Sequence, residues 1–230
     1  MTDLTAEAYL DVVREHQSAA NREKIRRYYR GDAEPLGVRM KTVFDTAKAF
    51  ERMPLDEVER LLDSGIYEGR VGAVSILDFK ARQGRITDDE RRDLYELYLR
   101  RHDRIDSWDL VDRAAPRVVG WYLADKSRAP LYELAASTDP WERRTAITAA
   151  FWFIRERDLD DALALAGILL HDPEELVNKS VGTALRDIGR VDRDRLVAFL
   201  EEHAATMPRV TLRYAIEHLP PEQRAALLAR

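Results

Sequence analysis

The chain contains no cysteine in 230 residues. That excludes disulfides, thiolate-bound zinc and a cysteine nucleophile. It fits a reducing compartment, and a cytoplasmic, nucleoid-associated location is expected. No apolar run approaches the ~20 residues of a membrane-spanning helix, so no membrane association is expected. The first residues, MTDLTAEAYLDVV, lack the basic start and apolar stretch of a secretory leader. The five histidines (His16, His102, His171, His203 and His218) are scattered. There is no HExxH, P-loop or GxGxxG pattern, so no metal and no other cofactor is expected. An excess of positive charge is also missing. The formal net charge of −5 argues against an indiscriminate nucleic-acid binder, although it does not report how the charges are distributed.

What is present is helix. Apolar residues make up 45% of the chain and charged residues 34%, as in globular proteins. Apolar positions recur at spacings of three and four almost throughout, and no segment alternates as a strand would. The spacing predicts helices over 4–17, 20–29, 39–52, 55–63, 67–83, 88–101, 107–122, 126–137, 140–157, 159–170, 174–189, 192–205, 209–218 and 221–228. Short connectors (RGDAEPLG, STDP, LHDP and ATMP) leave no linker between domains. Short helices with punctual turns suggest helix pairs stacked as an α-solenoid. One C-shaped, all-α domain over residues 1–230 is expected, as a monomer.

A repeat supports that architecture. Asp106, Asp139 and Asp172 each stand before a predicted helix and are 33 residues apart. Asp139-Pro140 and Asp172-Pro173 repeat the same dipeptide, and Pro208 falls near the next interval. Asp at an N-cap accepts from free backbone N–H groups, and Pro at the first helical position forfeits no hydrogen bond. Basic residues follow these starts: Arg143 and Arg144, then Lys179, then Arg209 and Arg213, with Arg70 in a similar context upstream. This is the pattern of HEAT-like repeats. Either the cations form a ladder along an inner face, or they are an ordinary solvated surface.

One segment is unusual: IDSWDLVDRAAPRVVGWYL, Ile105 to Leu123. Asp106 or Ser107 suits an N-cap. Trp108 and Asp112 are four apart and therefore stacked on one side of the helix. By periodicity alone the pair reads as a packing corner with a surface acid beside it, because Trp is usually core.

Several motifs together resemble the AlkD-like family of HEAT-like-repeat DNA glycosylases, the bacterial DNA alkylation repair enzymes. They are PLGVRMKTVFDTAKAF (Pro35–Phe50), DSWDLVD (Asp106–Asp112), WERRTAI (Trp141–Ile147), LVNKSVGTALRDIG (Leu176–Gly189) and MPRVTLRYAIEHLP (Met207–Pro220). Their order and spacing run from about Ala20 to Leu228. The resemblance implies an enzyme of base excision repair that removes cationic N3- or N7-alkylated purines from double-stranded DNA, with bulky adducts left open as further substrates. It implies Asp112 as the carboxylate that stabilises an oxocarbenium-like sugar and Trp108 as an aromatic wall against it. It implies Arg144 as a phosphate contact, with Arg143 as the alternative one residue away. Lys179, Arg186 and Arg213 are further candidates for the DNA backbone, and Arg39 matches a basic position of the family. The chain departs from the pattern at Thr183, where active members carry Trp as the second wall of the lesion cleft. Its absence removes the standard activity or widens the cleft. Two other functions stay open: a family member that grips DNA without cleaving it, and a HEAT-type protein scaffold. The pair Tyr28-Tyr29, set among basic residues, either touches DNA or packs a helix end.

Overall fold

The structure is a computed structural model and describes residues 3–229. It is helical, and no strand forms among the described residues; a lone β-bridge joins Glu34 and Ile66. No helix among these residues is long and apolar enough to cross a membrane. The packing gathers into two compact units, Met1–Tyr122 and Leu123–Arg230.

The first unit holds α1 (Ala6–Arg14), α2 (Ala19–Tyr28), α3 (Met40–Ala49), α4 (Leu55–Leu62), α5 (Tyr67–Ala81), α6 (Asp88–Arg100), a 3-10 turn (His102–Arg104), α7 (Trp108–Ala114) and a π-helical turn (Ala115–Trp121). Its centre is α5, buried along nearly its whole length and packed by α3, α4 and α7. Gly72 permits that packing: a Cβ there would lie 2.3 Å from the ring of Tyr9 on α1. The loop before α3 is held from α5. The buried carboxylate of Glu68 accepts from the N–H groups of Leu36 (2.8 Å), Gly37 (2.7 Å) and Val38 (2.9 Å), and Gly37 supplies the positive φ of +86° that the turn requires.

The second unit holds α8 (Ala129–Ala135), α9 (Pro140–Ala149), α10 (Phe151–Arg155), α11 (Asp160–Ile168), α12 (Glu175–Val191), α13 (Arg193–His203), α14 (Arg209–Ala215) and α15 (Pro221–Leu228). Here α12 is central and packs on α9, α13 and α14. Val177, Val181, Ala184, Leu185 and Ile188 form its buried stripe. The repeat is visible as cross-helix bonds at nearly constant separation. The hydroxyls of Thr148 and Ser180 meet at 3.0 Å across 32 residues, and Thr211 donates to the Asn178 carbonyl across 33.

Two expectations about local structure are corrected. The helix foreseen over 107–122 is not one α-helix. Pro116 has no N–H, and its ring collides with the carbonyl four residues back, that of Asp112, so the chain widens into the π-helical turn. Nor do the three repeated aspartates all cap helices. Asp139 does, accepting from Trp141 N at 2.8 Å. Asp172 accepts from Glu174 N at 2.9 Å but spends the rest of its carboxylate on Arg143. Asp106 caps nothing; it binds Arg70 (2.7 Å) and the Tyr29 hydroxyl.

Candidate active-site cleft

The short helix α7 carries two neighbouring ridges. Residues four apart stack along a helix face and successive residues are turned about 100°. Trp108 and Asp112 therefore form one ridge, and Asp109 and Arg113 the next. The second ridge is tied down. Tyr67, the first residue of α5, donates its hydroxyl to Asp109 Oδ2, and Ser107 donates to Asp109 Oδ1. Arg113 Nε donates to Ser75 Oγ at 3.1 Å, and Nη2 lies 3.1 Å from the buried carboxylate of Asp78. The Arg113 guanidinium also lies 4.8 Å from the ring centres of both Phe44 and Phe79. Burial, with Arg82 and Arg117 adding repulsion, pulls Arg113 below the usual arginine range, while Asp78 opposes that shift.

The first ridge is displayed instead. Trp108 is 41% exposed, among the few large apolar side chains left open, and Asp112 is exposed one turn on. Both line a cleft of about 330 Å³ whose other walls are Tyr28, Met40, Phe44, Val71, Asp109 and Arg113. An open indole and a carboxylate on one rim, inside mostly apolar walls, suit a ligand part that develops positive charge.

The Tyr28-Tyr29 pair divides between the two roles considered for it. Tyr28 ends α2 and is exposed on the cleft, its hydroxyl 3.3 Å from that of Tyr67. Tyr29 is buried, and its hydroxyl donates to Asp106. Beneath it Arg70, 2% exposed, pairs with Asp106 at 2.7 Å and Asp32 at 2.6 Å. Arg70 is thus an internal strut between α5 and the segment leading into α7, and not a rung of a basic ladder. Burial first, and Asp109 next, push the Tyr67 phenol far above its ordinary value, so it stays a donor at any working pH.

The other expected contacts with DNA fare unequally. Arg39 is exposed at the start of α3, next to Met40 of the cleft, with no ion-pair partner among the described residues. Arg213 on α14 is likewise exposed and unpaired among them. Lys179 pairs with Glu175 one turn back at 2.6 Å. Arg186 reaches Glu217 at 2.9 Å and Asp187 at 3.2 Å. Arg143, the alternative to Arg144 as a phosphate contact, ties neighbouring segments together instead of standing free. Its fork grips Asp172 at 2.6 and 3.0 Å, and its remaining nitrogen donates to the carbonyls of Ser137 and Thr138. Arg144 is not a solvated arginine either: it is 6% exposed, and Nη1 donates to the Leu176 carbonyl on α12. Thr183 turns its hydroxyl to the Lys179 carbonyl at 2.9 Å, four residues back in its own helix. Lys179, Thr183 and Arg186 share one face of α12 by their spacing.

Sequence reasoning overlooked Asp109, Arg113, Tyr67, Met40 and Phe44. A signal existed for two of them: Asp109 and Arg113 repeat, one residue on, the spacing of Trp108 and Asp112.

Known proteins match this arrangement at the level of family and fold. The family model described as DNA alkylation repair enzyme matches residues 10–219. No curated protein matches the chain. Among solved structures, the chain is similar to one described as a "predicted DNA alkylation repair enzyme from Enterococcus faecalis", with a TM-score of 0.68 at 13% identity, covering 90% of this chain and 98% of that one. At that identity the likeness establishes the fold alone.

Proposed function

This chain belongs to the DNA alkylation repair enzyme family, and from that premise we propose that it is a DNA N-glycosylase releasing cationic N3- or N7-alkylated purines from duplex DNA. Alkylation at these nitrogens puts positive charge on the base and improves it as a leaving group. As the bond from C1′ to the base nitrogen breaks, its electron pair leaves with the base and the sugar becomes oxocarbenium-like; water then adds at C1′. Asp112 opposes the charge on the sugar and orients that water. Trp108 turns the negative face of its ring toward the same charge. Arg39 and Arg213, exposed and unpaired among the described residues, hold backbone phosphates.

The observation that carries this reading is the display of Trp108 and Asp112 together at the cleft, on a helix whose next ridge is bound to α5. The test is incubation with methylated duplex followed by chromatography of the released bases. Free 7-methylguanine or 3-methyladenine is expected. Tight duplex binding with no base released would favour a second reading, a family member that grips DNA without cleaving it. Thr183 favours that alternative, since its hydroxyl is bonded to its own helix and it offers no aromatic face.

A further inference from the structure

We infer that Tyr67 and Asp109 are positioning residues that set the rotation of α7 and so aim Trp108 and Asp112 into the cleft. The inference rests on the proposed glycosylase reading for its kinetic consequence and on geometry alone for its structural one.

Three observations converge on this pair. First, α7 is seven residues long and begins without a side-chain cap; the Ser107 hydroxyl at its N-cap position donates to Asp109. A helix this short has almost no stability of its own, and its far end runs straight into the π-helical turn at Pro116. Its orientation must come from outside. Second, at its first turn the anchor is Tyr67, a residue buried in the start of the central helix α5. Tyr67 gives its proton to Asp109, so its oxygen accepts from Tyr28. A single line of hydrogen bonds therefore runs Tyr28, Tyr67, Asp109, with Ser107 closing on the other carboxylate oxygen. It joins the end of α2 to α7, both of which line the cleft. Third, both oxygens of Asp109 are engaged in these bonds, while Asp112 on the neighbouring ridge is exposed and lines the cleft.

The geometry has a specific consequence. Rotating α7 about its axis by one residue's worth of turn puts Asp109 and Arg113 where Trp108 and Asp112 stand and carries Trp108 and Asp112 one place further round, away from their present position in the cleft. Arg113, held by Ser75 and Asp78, resists rotation one turn further along. Tyr67 and Asp109 do so at the end nearest the indole. The effect of losing the phenol is therefore concentrated on Trp108.

The test compares wild type with Tyr67→Phe, Asp109→Ala and the double variant, each checked for an unchanged helical spectrum. Single-turnover base release from methylated duplex is measured with enzyme in excess, together with duplex affinity. A misplacement of this kind typically costs about ten- to a hundredfold in rate. Each single variant is expected to lose rate in that range with affinity held. The double variant is expected to be no slower than the worse single, because both changes break the same bond. A second readout does not depend on catalysis. The quenching of Trp108 by acrylamide is isolated by subtracting the signal of the same protein carrying Trp108→Phe, and it is expected to rise in Tyr67→Phe. If wild type releases no base, the glycosylase reading fails, and the quenching result alone decides the positioning role. Unchanged Trp108 quenching in Tyr67→Phe overturns the inference, as does rate loss that simply adds between the two single variants.

Discussion

Replacing Arg144 by Met keeps the apolar stem and deletes the guanidinium. The residue is 6% exposed, and its Nη1 donates to the Leu176 carbonyl at the start of α12. The variant strips that carbonyl of a charged donor in a part-buried setting, which costs about 1–3 kcal/mol. In a chain of this length each kcal/mol moves the melting midpoint by roughly 2–4 °C. A mid-range loss of about 2 kcal/mol therefore lowers Tm by roughly 4–8 °C. Thermal melting followed by far-ultraviolet circular dichroism reads that shift. Fluorescence anisotropy with a labelled duplex, at a temperature where both proteins are folded, reads binding. The expected result is a lower Tm with affinity nearly unchanged. A solvated arginine gripping a phosphate gives the opposite pattern: affinity lost across all sequences, more so at low salt, and Tm untouched. That opposite pattern would refute the packing argument and return Arg144 to the DNA backbone.

Three further outcomes are expected. Asp112→Asn keeps the shape and removes the charge, so base release should fall on the order of ten- to a thousandfold while duplex binding persists; equal release rates by the two proteins exclude Asp112 as the catalytic carboxylate. Thr183→Trp restores an aromatic face, and should raise release of small methylated bases relative to bulky adducts; an unchanged ratio removes Thr183 from substrate choice. Hydrogen bonds from Arg101 and then Arg104 bring the Asp63 carboxyl down to about 2. A folded-state value below the ordinary 3.8 means that the stabilisation is complete above about pH 4 and is lost as pH falls toward 2. Asp63 is well exposed, so solvent screening limits the effect to less than about 1 kcal/mol. Asp63→Asn should thus melt slightly below wild type at neutral pH, with the gap closing near pH 2; a gap that persists there contradicts the assignment.

The helices were legible because their periodicity is local. The stripe of Val177, Val181, Ala184, Leu185 and Ile188 on α12 is a consequence of 3.6 residues per turn and needs no knowledge of what it packs against. The 33-residue repeat was legible in the second half for a related reason. Cross-helix bonds there recur at 32 and 33 residues, so equivalent groups appear at a fixed step. In the first unit the corresponding ties span 36, 38 and 42 residues, and no single period reveals them. Trp108 and Asp112 could be paired from their spacing, and the family resemblance gave the pair a chemistry.

Which side of each residue faced inward was another matter. Tyr28 and Tyr29 are adjacent and chemically identical, yet one lines the cleft and the other bonds to Asp106 in the interior. Asp106, Asp139 and Asp172 occupy equivalent places in the sequence, but only Asp139 spends its carboxylate on a helix cap. The other two are drawn to Arg70 and Arg143. In each case one carboxylate is contested by the N–H groups of its own helix and by a guanidinium 29 or 36 residues away in the chain. The sequence by itself determined the helices, their order and the groups available to compete, since these follow from backbone period and side-chain chemistry. Only the tertiary structure decided which competitor won, because that depends on which distant residues the packed helices bring within hydrogen-bonding distance.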